Sequence, residues 1–74
     1  MDAQGTIELR FRIPGADERA RAAVRQTLVE LPGVEAVRVD ADDGTVVVVA
    51  DERVVSDDEL LAAIGENGLE AERA

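Results

Sequence analysis

Residues 34–50 read VEAVRVDADDGTVVVVA, two runs of alternating side chains separated by the turn-forming segment ADDGT. In the first run Val37, Val39 and Ala41 fall on one side, and Ala36, Arg38 and Asp40 on the other. Period-two alternation marks a strand with one buried face. Asp and Gly between two such runs mark a tight reversal. The stretch predicts a β-hairpin with strands over 34–41 and 45–50.

Upstream, Pro32-Gly33 closes a segment of helical period. Ala20, Val24, Leu28 and Leu31 recur at one face, widened by Ala23 and Thr27, with Glu18, Arg21 and Arg25 off it. Further upstream, residues 6–13 alternate again: Ile7, Leu9, Phe11 and Ile13 oppose Glu8, Arg10 and Arg12. Downstream, SDDE at 56–59 is a capping box, in which Ser56 caps the helix and Glu59 reaches back. Leu60, Leu61 and Ile64 give that helix an apolar face, and Asn67-Gly68 ends it. LEAE at 69–72 reads as a short last strand.

The order strand-helix-strand-strand-helix-strand predicts an α+β, ferredoxin-like βαββαβ domain. Its four-stranded antiparallel sheet carries both helices on one face, with the first and third strands as central neighbours. The expected core is Ile7, Leu9, Phe11, Val24, Leu28, Leu31, Val37, Val39, Val46, Val48, Leu60 and Ile64. Residues 1–74 form one domain, with 1–5 and 73–74 expected to fray.

Composition removes most chemistry. The chain has no cysteine or histidine, and lysine, tyrosine and tryptophan are also missing. The usual general base, Schiff-base amine and phenol are therefore absent, and no histidine or lysine can activate Ser56 or a threonine. The expectation is a protein that is not an enzyme and carries no cofactor. Seventeen acids against eight arginines give a net charge of −9, which opposes nucleic acid and anionic membranes. No apolar run approaches the roughly 20 residues of a bilayer span, and the start MDAQGT is unlike a signal peptide. A cytoplasmic domain is expected.

TLVELPGVEAVRVD, the following DGTVVVV and then VSDDELLAAIGENGLEAE together resemble the heavy-metal-associated domains of copper chaperones and copper-pumping ATPases. The resemblance extends over nearly the whole chain. It implies a ferredoxin-like fold and a metal loop between the first strand and first helix, of the form glycine-methionine-x-cysteine-x-x-cysteine. Counted back from Leu28 and Leu31, the two cysteine positions fall on Asp17 and Ala20, and the methionine position on Gly15. The aromatic residue usual after the late glycine is Leu69. IPGADERARAAV at 13–24 thus stands where the metal loop would be, without its thiolates. Cu(I) selects thiolate and thioether, whereas carboxylates suit hard cations. Asp17 and Glu18 are the remaining weak candidates, and two oxygens fall far short of the six to eight that calcium takes.

Asp17 reads more simply as the first helix's N-cap, a role that contributes about 0.5–2 kcal/mol. Asp40, Asp42 and Asp43 surround Gly44, but that glycine is one position early for a calcium-binding EF-hand loop, and hairpin turns favour Asp and Gly for backbone reasons. A phosphate at the first helix's start is opposed by Asp17 and Glu18, and no glycine-rich nucleotide motif is present.

VVVV at 46–49 turns Val46 and Val48 to the core, leaving Val47 and Val49 for the open sheet face. There they neighbour Glu8, Arg10 and Arg12 on one flank and Ala36 and Arg38 on the other. An apolar strip framed by Arg10, Arg12 and Arg38 has the composition of a partner surface, although valine's strand propensity alone also accounts for it. The expected function is a protein-interaction or assembly module that meets a protein partner or a second copy through that face or an edge strand. A metal-handling domain of relaxed chemistry, an amino-acid sensor of the ACT type and an idealised scaffold are the alternatives.

Overall fold

In the computed structural model, which describes residues 5–73, β1 (Thr6–Arg12) is followed by the expected hairpin, β2 (Val34–Val39) paired antiparallel with β3 (Thr45–Asp51). Val37 lies opposite Val48 and Val39 opposite Val46. The first hairpin strand stops earlier than its alternation suggested, at Val39, because the turn begins at Asp40. Its amide donates to the Thr45 carbonyl (2.8 Å), and its carbonyl accepts from the Gly44 amide (3.0 Å).

On the other side of β3, β1 pairs antiparallel from Thr6↔Asp51 to Arg12↔Thr45. β4 (Glu72–Arg73) adds only the pairs Phe11↔Arg73 and Arg12↔Glu72, giving the order β2-β3-β1-β4. The two helices are α1 (Glu18–Val29) and α2 (Asp57–Gly65). Val24 and Leu28 from α1, and Leu60, Ala63 and Ile64 from α2, join Phe11, Ile13, Val46, Val48, Ala50 and Val55 in one buried cluster. Both helices therefore cover the same sheet face, and the fold is the ferredoxin-like βαββαβ arrangement. No helix among the described residues is long and apolar enough to cross a membrane.

Two further details depart from expectation. The last strand was read at 69–72 but pairs only at 72–73. Leu69 and Ala71 instead pack, partly buried, against the core before the chain reaches the sheet. Val37, Val39, Leu31, Leu9 and Ile7 are only half-buried, whereas Ile13, Ala50, Val55 and Ala63 complete the core. Val37 and Val39 stand on an edge strand with a neighbour on one side, and Ile7 and Leu9 lie beyond the reach of β4. Of the ends expected to fray, residues 1–4 and 74 lie outside the described residues. The Gly5 carbonyl accepts from the Glu52 amide at 2.7 Å, and Arg73 pairs with Phe11 and with Asp57.

Local chemistry sets the element boundaries. The Ser56 hydroxyl accepts from the Glu59 amide (3.2 Å), and the Glu59 carboxylate accepts from the Ser56 amide (2.9 Å), so both halves of the capping box are present. Ser56→Ala removes one half and is expected to cost about 1 kcal/mol, read as a lower urea midpoint at unchanged slope. Gly33 sits at φ +91°, and a Cβ there would come within 2.8 Å of the Val54 side chain. Gly33→Ala combines left-handed strain with that collision, for an expected loss of about 1–3 kcal/mol in the same measurement.

Candidate functional site

The stretch between β1 and α1 is built by four hydrogen bonds. Ile13 is buried, and its amide donates to the Gly44 carbonyl (2.9 Å), which fixes the loop's start against the hairpin turn. Gly15 takes φ +80° and lets the chain reverse, and the Ala16 amide closes the turn onto the Ile13 carbonyl (3.3 Å). The Arg21 guanidinium then reaches back from α1 to the Ala16 carbonyl (2.9 Å). Asp17 follows in extended conformation as the N-cap, its Oδ1 accepting from the Ala20 amide at 2.8 Å.

Positions 17 and 20 are thus joined to each other by a capping hydrogen bond. The Asp17 carboxylate is engaged by the helix start, and Glu18 is an exposed first-turn acid. No group of three or more histidine, cysteine or acidic side chains that could hold a metal ion occurs among the described residues.

The aspartates of the hairpin turn serve the backbone in the same way. Asp40 Oδ1 accepts from the Asp42 amide (2.9 Å) and Asp43 Oδ1 from the Thr45 amide (3.0 Å). The Thr45 hydroxyl, then its amide, hold the Asp43 carboxyl below its ordinary value of 3.8, with a smaller contribution from the charge of Arg12. A depressed folded-state pKa adds stability above the unfolded value, and that stability is lost as pH falls through the lowered one. Asp43→Asn is therefore expected to flatten the acid limb of a urea-midpoint profile below about pH 4 and to leave its shape near neutrality unchanged.

On the sheet face away from the helices, register decides which side chains meet. Val47 stands directly between Arg10 of β1 and Arg38 of β2. Val49 stands between Glu8 and Ala36, and Arg12 between Thr45 and Glu72. Val47 is only 9% exposed although no helix covers this face. Cross-strand neighbours approach within about 5 Å at Cβ, so the aliphatic stems of the two flanking arginines can lie over the valine with their charges in water. Val49 remains half-buried. The exposed apolar strip foreseen from VVVV is consequently smaller than two valines, and the face presents the guanidinium side chains Arg10, Arg12 and Arg38 around it.

Beyond the end of β4 a cleft of about 300 Å³ opens between β1 and the start of α2, floored by Ile7, Leu9 and Val55. It went unforeseen because the alternation of LEAE carries no information on how many of its residues pair.

The heavy-metal-associated domain model matches residues 10–68. Among solved structures, a Bacillus anthracis protein described as copper-ion-binding is 29% identical, with a TM-score of 0.84 over 90% of this chain and 96% of its own. Oxidised MerP from Ralstonia metallidurans CH34 is 22% identical, with a TM-score of 0.86 over 92% and 96%. The Cu(I)-loaded N-terminal domain of a potential copper-translocating P-type ATPase from Bacillus subtilis is also 22% identical, with a TM-score of 0.86 over 92% and 86%. No curated protein matched.

Proposed function

The chain belongs to the heavy-metal-associated domain family, and from that membership joined to a loop without thiolates we propose that it is a non-catalytic protein-interaction module of the cytoplasm. The carrying observation is the hydrogen bond from the Ala20 amide to Asp17 Oδ1, which joins the two positions where the family resemblance implies a pair of cysteines. The chain has no thiolate and a single thioether, Met1, so the loop between β1 and α1 offers Cu(I) only the hard oxygens it does not select. The fold remains, and with it the open sheet face.

That face collects Arg10, Arg12 and Arg38 in a chain whose net charge is −9. Arginine is enriched at interfaces, where its stem buries apolar area and its guanidinium meets carboxylates. A protein partner with an acidic, partly apolar patch, or a second copy offering its own acids, is the fitting occupant. Opposite potentials steer encounter and reject like-charged surfaces.

The burial of Val47 decides how this is tested. A charge placed there would damage the fold itself, and an Asp at 49 would face Glu8 across the strand pair, so the informative variant is Arg38→Glu with the near-isosteric Val49→Thr. Sedimentation velocity, and binding to any isolated partner, are expected to show association weakened at least tenfold (about 1.4 kcal/mol) with the thermal midpoint little changed. Unaltered association in both assays rejects the open face as the contact surface.

A further inference from the structure

We infer that the outer edge of β1 accepts a basic extended peptide strand, antiparallel, over Thr6–Leu9. This rests on reading the chain as an interaction module and adds a second surface with its own ligand chemistry.

Three features converge. The first is the phase of the sheet hydrogen bonds. The Ile13 amide donates to the Gly44 carbonyl, and the Gly5 carbonyl accepts from the Glu52 amide. Odd-numbered residues of β1 therefore direct their backbone groups to β3, and even-numbered residues direct theirs to the opposite edge. On that edge β4 pairs only with Arg12 and Phe11, so among the described residues no strand meets the outward amide and carbonyl groups of Glu8 and Thr6. The second is the cleft beside this edge, floored by Ile7, Leu9 and Val55 with Glu52, Asp57 and Arg73 at its mouth. Ile7 and Leu9 face the same side as Phe11 and Ile13 but stay half-buried, lining a cleft that no side chain among the described residues fills.

The third is charge. Glu8 alternates with Ile7 and Leu9 along the edge and makes only an exposed, weak 3.6 Å pair with Arg10, Glu52 and Asp57 stand at the mouth, and Arg73 is already paired to Asp57 at 2.7 Å. An added strand with aliphatic side chains opposite Leu9 and Ile7 fills the cleft, and a lysine or arginine opposite Glu8 meets a carboxylate. Strand addition of this kind takes its affinity from main-chain hydrogen bonds and its selectivity from alternate side chains. The far edge of the sheet is a weaker candidate, because β2 carries a register shift between Val34 and Ala36 that interrupts its pairing line.

The test uses the unsubstituted chain and the capped peptide Val-Lys-Val-Lys-Val, in two N-methylated forms of identical charge. Methyl groups on the lysine amides block the bonds to Glu8 and Thr6, whereas methyl groups on the two later valines' amides point away from β1. The valine-methylated form is expected to bind saturably and to slow hydrogen exchange at the Glu8 amide by at least about tenfold, while the lysine-methylated form leaves it unchanged. Equal binding of both forms means adsorption to an acidic protein and overturns the proposal, as does a Glu8 amide that stays fast with either. A Glu8 amide already protected in a dimer assigns the edge to a second copy and overturns it too. None of these results touches the open face, whose variant Arg38→Glu with Val49→Thr reports on the earlier reading separately.

Discussion

A chain carrying Asp17→Cys and Ala20→Cys is expected to take up Cu(I) stoichiometrically, where the unsubstituted chain takes up none. The 2.8 Å bond between Asp17 Oδ1 and the Ala20 amide shows that a side chain at position 17 already reaches back to position 20. Two thiols there would converge at the start of α1, where unpaired amides and the helix dipole favour the thiolate. Soft thiolates then select Cu(I). Losing the Asp17 cap costs about 0.5–2 kcal/mol, so the metal-free variant is expected to melt below the parent. Metal at 100 times its dissociation constant returns about 2.7 kcal/mol by linkage. Native mass spectra of both chains after Cu(I) and Zn(II) read the outcome directly. Metal on the unsubstituted chain at low excess would move the search for ligands to Asp17, Glu18 and the 40–43 aspartates and reject the loss of metal chemistry. A double variant that stays metal-free would show that the loop no longer holds the geometry.

Phe11→Ala is expected to cost about 3–5 kcal/mol, the largest loss available from one truncation here. Phe11 is the one aromatic side chain and is fully buried at the centre of the cluster that both helices share. At about 0.05–0.15 kcal/mol per residue, a 74-residue chain has only about 4–11 kcal/mol to lose. A thermal midpoint lowered by at least about 12 °C follows, or a chain unfolded at room temperature. Phe11→Leu keeps most of the volume and is expected to recover more than half of the loss. A midpoint unmoved by Phe11→Ala would mean that the cluster does not hold the domain together.

The elements that were legible in the sequence are those fixed by neighbours in the chain. The capping box needs only Ser56 and Glu59, the hairpin turn only residues 40–45, and the N-cap only Asp17 and Ala20. What was not legible depends on partners far away. Val47, 9% exposed, has Arg10 and Arg38 as direct neighbours, brought beside it by two separate strand registers. Alternation in VVVV gives its side of the sheet but not the length of its neighbours' stems. The two-residue β4 depends on where the chain lands after α2, and the cleft at Ile7 and Leu9 depends in turn on β4 ending there. The lack of thiolates in the loop between β1 and α1 was legible from cysteine's absence, whereas the tether from Arg21 to the Ala16 carbonyl required the turn's conformation.

The pairing of β1 with β3 also imposes a schedule on synthesis. β1 leaves the ribosome first, yet its main partner ends at Asp51, opposite Thr6. At about 5–20 residues per second, β1 waits some seconds with both of its edges bare. An apolar strand left waiting is a template for other nascent chains, and charges set into such strands suppress that pairing. Glu8, Arg10 and Arg12, interleaved with Ile7, Leu9 and Phe11, therefore guard the newborn chain before any partner has been made.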